Sequence, residues 1–138
     1  MSIVQGQTTS FKYELYLGIH DLDTDVLKIA LFTANANLNQ GTTIYSSANE
    51  VSGTGYTLGG KVLTGVTVSY SGTTAYVDFD NVIWNPASFT ARCALIYNSS
   101  KADRSIAVLD FGSDKTTSTQ FTITMPTNSA TNALIRME

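Results

Sequence analysis

Alternation between hydrophobic and polar positions dominates the chain beyond residue 25 and predicts β-strands. About seven segments rich in β-branched and aromatic residues are bounded by Gly, Asn, Asp or Ser: residues 26–33, 62–70, 74–79, 89–97, 105–111, 119–125 and 133–137. No segment after residue 25 keeps a helical period of useful length. Because the connections contain no helical crossover, we predict a mainly β fold, an antiparallel β-sandwich or a jelly-roll-like fold.

One short helix is predicted ahead of the first strand. Phe11 and Leu15 begin an apolar stripe at helical spacing. Ser10 is the expected N-cap, and Gly18 is expected to end the helix after about two turns. We expect this helix to pack on a sheet rather than to present a ligand surface, and the side chains concerned are Phe11, Tyr13, Tyr16 and Leu17.

The first nine residues are polar and lack periodicity, so they are interpreted as an extended arm. Residues 10–138 then form a single β-sandwich domain. Ile3 and Val4 are two adjacent apolar residues in the arm. A disordered segment that orders on binding must recover its lost entropy by burying such residues. Ile3 and Val4 are therefore the predicted contact between subunits.

Turns and loops separate the predicted strands. Residues 71–72 suit a tight hairpin between the second and third predicted strands. Residues 34–60 form a long connection, with a short strand expected near residues 43–46, and connections of this length are usually functional. Two further loops are predicted, at residues 81–86 and 112–117.

Alternation also assigns side chains to the two faces of a strand. In the third predicted strand, Val77 and Phe79 face inward, so Asp78 and Asp80 are expected to be exposed. In the fourth predicted strand, one face is expected to carry Phe89, Ala91, Cys93, Leu95 and Tyr97.

The composition favours a structural or binding protein over an enzyme. Charged residues make up only 14% of the chain, and 20 threonines and 14 serines take their place. The net charge of −3 argues against a nucleic-acid partner, which would call for basic patches. No apolar run reaches the roughly 18 residues of a membrane span, and no secretory signal is visible. We therefore expect neither a nucleic-acid nor a membrane partner.

Few residues offer catalytic or metal chemistry. The alternating carboxylates of residues 21–25 suggest calcium, but Val26 and Phe32 stand where an EF-hand needs Gly and Glu, so a polar turn is expected. His20 has no nucleophile motif beside it, and Cys93 alternates with apolar residues as a buried thiol would. The sequence predicts no catalytic residue, no metal and no cofactor.

Two other motifs are incomplete. Asp78 and Asp80 could imitate a glycosidase carboxylate pair, but nothing nearby supports that reaction. The glycines of residues 53–55 and 59–60 resemble parts of a phosphate loop, yet Lys61 is followed by Val rather than Ser or Thr. We expect these glycines to be loop hinges or to occupy positions with positive φ.

One stretch resembles a known group of proteins. Residues 49–68, NEVSGTGYTLGGKVLTGVTV, are similar to a run that recurs in small virion proteins of tailed bacteriophages. The likeness spans roughly residues 11–137 and continues through residues 75–80, Trp84, residues 89–92 and residues 107–112. It implies a structural component of the virion, a capsid cement (decoration) protein or a tail-associated component, and it supplies no catalytic residue.

The expected function follows from composition and resemblance together. We expect a non-enzymatic, oligomeric virion protein, assembled in the host cytoplasm, whose partners are the major capsid protein and copies of itself. By binding across shell subunits it would stabilise the assembled head. The alternative is a tail-associated or receptor-binding β-sandwich, in which some of the seven tyrosines and the one tryptophan stack on carbohydrate.

Overall fold

The computed structural model describes residues 3–126, 129, 131 and 133–137, and these residues form a mainly β domain, as predicted. One helix, α1, spans Thr9–Tyr16, and a short 3-10 helix spans Ser99–Lys101. The strands of the described residues are β1 (Gly6–Gln7), β2 (Leu27–Phe32), β3 (Lys61–Val62), β4 (Thr67–Ser71), β5 (Thr74–Asp78), β6 (Val82–Trp84), β7 (Phe89–Asn98), β8 (Arg104–Thr117), β9 (Phe121–Ile123) and β10 (Ile135–Met137).

The strands form three sheets, and every pairing between these strands is antiparallel. The largest sheet has the order β1-β8-β7-β2-β3. A three-stranded sheet has the order β10-β5-β4, and β6 pairs with β9. The short connections predict this antiparallel arrangement.

The five-stranded sheet is buried on both faces, which gives the domain a sandwich-like core. On one face, Leu27, Ile29 and Leu31 of β2 share a cluster with side chains of the two smaller sheets, among them Val77 and Trp84. On the other face, a second cluster contains Ala30, Phe32, Leu95, Ala36 and Leu38.

The long connection between β2 and β3 covers that second face. Ala36 and Leu38 supply its apolar cover. The strand expected at residues 43–46 is reduced to a single bridge between Ile44 and Arg104. The connection is therefore an ordered layer of the domain, which accounts for its length.

The buried face of β7 changes where its pairing with β8 becomes irregular. The pairing between β7 and β8 shifts register between Ala91 and Cys93. Ala91 pairs with Lys115 and Cys93 pairs with Asp110, so residues 111–114 of β8 lie opposite Arg92 alone and the regular ladder is interrupted there. The single face predicted for this strand is wrong: Phe89 and Ala91 lie in the main core, whereas Cys93, Leu95 and Tyr97 lie in the second cluster.

Ten strands are described where about seven were predicted, because several are too short to show alternation. The segment 62–70 is divided into β3 and β4 at Gly65, which has a φ of +62°. That φ favours glycine, and a Cβ there would also lie 2.2 Å from a carboxylate oxygen of Asp80, whose side chain would have to move. The predicted loop at 81–86 contains β6, and residues 112–117 belong to β8.

A hairpin joins β4 and β5, as predicted, but its turn lies one residue later than the predicted residues 71–72. Ser71 pairs with Thr74, and Gly72 and Thr73 form the two-residue connection. Gly72 has a φ of +59°, typical of the first central residue of a type II′ turn. No atom lies within 4 Å of the position that a Cβ of Gly72 would occupy, so glycine is favoured there by its φ and not by lack of space.

Residues 6–8 bond to the domain's own sheet. β1 pairs with β8, and the Thr8 N–H donates to a β8 carbonyl at 2.9 Å. Thr8 is the N-cap of α1, since its hydroxyl accepts a hydrogen bond from the Phe11 N–H at 3.3 Å. The prediction that Ser10 is the cap is therefore wrong. Thr8 is also fully buried, 2.9 Å from the hydroxyl of Ser105.

Candidate functional site

An apolar cleft lies between α1 with its following loop and the β10-β5-β4 sheet. Its volume is about 470 Å³. Phe11, Leu15 and Leu22 line one wall, and Val68, Val77 and Ile135 line the other. Its polar lining residues include Gln7, His20, Asp21, Asp23 and Arg136. α1 itself packs against β8 of the five-stranded sheet.

Hydrogen bonds at the base of the cleft use both ring nitrogens of His20. The Asn98 amide oxygen accepts from the Ser100 N–H at 3.0 Å, which directs the amide nitrogen of Asn98 to His20 Nδ1, also at 3.0 Å. Nδ1 is therefore the acceptor, and the ring proton on Nε2 donates to Glu14 Oε1 at 2.8 Å. The other Glu14 oxygen accepts from Arg104 at 2.9 Å.

Asp25 continues this network on the far side of Asn98. It accepts hydrogen bonds from Asn98 at 2.7 Å and from the Lys101 ammonium at 2.8 Å. Burial raises the pKa of Asp25, but the hydrogen bonds from Asn98 and Lys101 outweigh that effect and lower the pKa to about 2. Asp25 Oδ2 also accepts from the Asp21 N–H, so residues 21–25 form the expected polar turn.

The polar groups of His20 and Glu14 are already occupied by other groups of the protein. The imidazole of His20 and the carboxylate of Glu14 are committed to internal partners, and both side chains are almost fully buried. A general base needs a free position within reach of the proton that it removes. The cleft itself offers mainly apolar surface, which suits an apolar side chain or strand of a partner.

The exposed side of α1 departs from expectation. Phe11 and Glu14 are its buried residues, whereas Tyr13, Tyr16 and Leu17 are exposed. The prediction that the last three pack on a sheet is wrong, because α1 meets the sheet through one side only. Tyr13, Tyr16 and Leu17 stand at spacing i, i+3 and i+4 and form one surface, here called the helix stripe.

Ile3 and Val4 lie beside the long connection. Ile3 forms a parallel bridge with Leu38, and the Val4 N–H donates to the Leu38 carbonyl at 2.9 Å. Ile3 is partly buried against the second cluster, and Val4 is exposed. Their contact with another subunit stays a prediction, for which Val4 has the larger free surface.

The two strand carboxylates have different environments. Asp80 is exposed, as expected, and accepts a hydrogen bond from Thr64 at 3.3 Å. Asp78 was also expected to be exposed but is only 9% exposed, and its Oδ1 has no hydrogen-bond partner among the described residues. Alternation within one strand does not reveal this difference.

A cluster of tyrosines around Glu50 has no sequence signal. Tyr45 and Tyr56 each donate a 2.5 Å hydrogen bond to the Glu50 carboxylate, and the Gly59 N–H donates to it at 2.8 Å. Burial and the hydrogen bond to Glu50 raise the pKa of both tyrosines. Tyr97 donates to the Gly59 carbonyl at 2.6 Å, and burial raises its pKa to about 12. The cluster fastens the long connection to the sheet.

Cys93 and the loop glycines, the remaining residues considered from the sequence, lie where they serve the packing of the fold. Cys93 is buried, and burial raises its pKa to about 11, so the thiol is poorly suited to react as a thiolate. Gly55, Gly59 and Gly60 have positive φ, as predicted. At Gly60 a Cβ would lie 1.8 Å from the Ile29 carbonyl oxygen, so glycine allows the loop to approach β2.

Comparisons of the chain with known proteins identify no related protein. No family model, no curated protein and no solved structure matches the chain. Among the described residues, no helix is long and apolar enough to span a membrane. The same residues contain no group of three or more His, Cys, Asp or Glu that could hold a metal ion.

Proposed function

We propose that the chain is a non-enzymatic structural protein of a tailed-phage virion and that it binds the head shell as a cement (decoration) protein. The resemblance of residues 49–68 to virion proteins supports the class of protein. The helix stripe is the observation that carries the binding role. The major capsid protein is the proposed partner.

The helix stripe has the properties of a protein contact. Tyr16 is 86% exposed, and Tyr13 and Leu17 are exposed beside it. Tyrosine is enriched at interfaces because its ring buries a large area while its hydroxyl bonds to water or to a partner. α1 is fixed by the buried Thr8 cap and Phe11, so little further ordering is needed when a partner binds.

The surface composition is consistent with this role. Few charges need to be desolvated when a face rich in Thr and Ser is buried against another protein. A cement protein stabilises the shell by binding the assembled state in preference to free subunits. Many weakly bound copies therefore add up to a stable particle.

A binding experiment tests the proposal. Heads and tails freed of the protein are incubated separately with the purified protein and sedimented. We expect saturable binding to heads, and we expect the double variant Y13K/Y16K to bind at least about tenfold more weakly, as for the loss of two interface tyrosines. The matched control is Y70K, since Tyr70 is a similarly exposed tyrosine on another element.

The possible outcomes test the cement function and the helix stripe separately. Failure of the wild-type protein to bind heads would contradict the cement function. Head binding that Y13K/Y16K leaves unchanged would contradict the helix stripe as the contact.

A second candidate rests on the same rings. Tyr13, Tyr16 and Tyr70 are exposed and could stack on sugars, as in a receptor-binding module of the tail. Binding to tails alone, together with binding to host glycans on an array, would favour this alternative.

A further inference from the structure

The edge strand β4 has an unpaired side. In the β10-β5-β4 sheet it pairs with β5 alone. Ser71 and Thr74 close a two-residue hairpin and so form a hydrogen-bonded pair, and the antiparallel ladder alternates from there. The N–H and C=O groups of Val68 and Tyr70 therefore point away from β5. No described residue forms a hydrogen bond with these four groups.

This edge lacks the features that usually prevent association. Natural edge strands are protected by charged residues, proline, bulges or a covering segment. β4 reads Thr-Val-Ser-Tyr-Ser, with no charge and no proline, and its pairing with β5 is regular through all five residues. Four of its five residues are exposed, Tyr70 to 81%, and the central Ser69 is partly buried.

The sequence of β4 is complementary to itself in one antiparallel register. With Ser69 on a two-fold axis, Ser69 faces Ser69 of a second copy. Val68 then faces Tyr70 of that copy, and Thr67 faces its Ser71. Apolar side chains meet apolar ones, and hydroxyls meet hydroxyls. The outward N–H and C=O groups of Val68 and Tyr70 fall opposite each other, so each carbonyl accepts from an N–H of the other copy.

We propose that two copies of this chain associate by pairing their β4 strands antiparallel about Ser69, which joins the two three-stranded sheets into one continuous sheet. Val68 and Tyr70 lie on the same face as Val77 and Ile135, which line the cleft. Pairing therefore extends the apolar surface of one copy directly into that of the other. A two-fold axis is the commonest symmetry of such contacts. This interface goes beyond the proposed function and does not depend on it.

Cysteine cross-linking tests the register. Ser69 faces its own copy in a pair whose Cα atoms lie about 4.5 Å apart, within reach of a disulfide. Thr67 faces Ser71, so the two copies of Thr67 lie about 13 Å apart at the rise of a strand. We expect S69C to cross-link to itself about tenfold faster than T67C or S71C alone, whereas a mixture of T67C and S71C cross-links to each other. The wild-type protein, whose one cysteine is buried, is the blank.

Sedimentation of the unmodified protein provides the second measurement. We expect a monomer–dimer equilibrium that depends on concentration. Y70K should weaken it about tenfold, as an edge charge does, while Y16K, equally exposed on α1, leaves it unchanged. Circular dichroism and melting temperature confirm that each variant is folded.

Two results would overturn the interface. One is a wild-type protein that stays monomeric at all concentrations together with S69C that cross-links no faster than T67C or S71C. The other is a dimer for which all three cysteine variants cross-link equally, since that shows a contact elsewhere. Loss of the dimer in Y70K with unchanged binding to heads would separate this interface from the helix stripe.

Discussion

The Tyr56 hydroxyl donates a 2.5 Å hydrogen bond to Glu50 and accepts one at 2.9 Å from the Leu31 N–H. Leu31 belongs to β2, whereas Glu50 and Tyr56 belong to the connection that follows it. One hydroxyl thus joins a loop of more than twenty residues to the central sheet. Glu50 accepts from Tyr45 and Gly59 as well, so its carboxylate is the shared acceptor of the connection.

Replacing the carboxylate of Glu50 is expected to loosen that connection. Glu50→Gln places an amide N–H where all three neighbours are donors, which leaves at least one buried donor without an acceptor. We expect the free energy of unfolding to fall by about 1–3 kcal/mol. Chemical denaturation measures the change. Asp23→Asn, an exposed acid-to-amide change, is the control, and an equally small effect of both variants would show that the cluster contributes little.

Asp25 is expected to make the domain sensitive to acid. Its pKa is lowered to about 2 in the folded protein from an unfolded value near 3.8. A lowered pKa contributes stability that is present above the unfolded pKa and is lost as the pH falls through the folded value. We expect about 2 kcal/mol to be lost between about pH 4 and pH 2. Asp25→Asn should remove that part of the pH dependence, while Asp23→Asn keeps it; identical pH profiles of the two variants would contradict the assignment to Asp25.

Gly60 and Gly72 test two separate requirements for glycine. Both have positive φ, but only Gly60 lies against backbone, where a Cβ would be 1.8 Å from the Ile29 carbonyl oxygen. Gly72→Ala is expected to cost about 1–2 kcal/mol of conformational strain. Gly60→Ala should cost distinctly more, over about 3 kcal/mol, because the loop must also move away from β2. Thermal melts of the two variants give the comparison, and equal losses would mean that the close approach is readily relieved.

The position of the helix cap predicts a further difference. Thr8→Ala removes the hydroxyl that accepts from Phe11 and contacts Ser105, and we expect a loss of about 1–2 kcal/mol. Ser10→Ala removes longer contacts, at 3.3–3.4 Å, and should cost less than about 0.5 kcal/mol. A larger fall in melting temperature for Ser10→Ala than for Thr8→Ala would contradict Thr8 as the N-cap of α1.

The pairing of β1 with β8 and the Thr8 cap determine which N-terminal deletion the fold can tolerate. Removing residues 2–9 deletes β1 and the Thr8 cap, so loss of particle binding in that variant would report unfolding as well as a lost contact. Removing residues 2–4 deletes Ile3 and Val4 but keeps β1 and Thr8. The shorter deletion is therefore the appropriate test of the predicted subunit contact.

The sequence by itself determined the fold class and the position of the helix. A strand's alternation has a period of two residues and is visible within one segment, so the long strands β2, β7 and the first part of β8 were predicted close to their bounds. The hairpin at Gly72 and the positive φ of the loop glycines were also predicted, because turn geometry depends on a few adjacent residues.

Only the tertiary structure decided which surfaces face each other. Cys93, Leu95 and Tyr97 lie in the second cluster, beyond the point where the β7–β8 pairing is irregular, and no local pattern marks that change of face. Glu50 meets Tyr45 and Tyr56 because the connection folds back over the sheet. Asp78 is only 9% exposed, although it alternates with the inward-facing Val77 and Phe79. Each of these outcomes depends on packing between segments distant in the chain, whereas hydrophobic periodicity reports only which positions within one segment share a face.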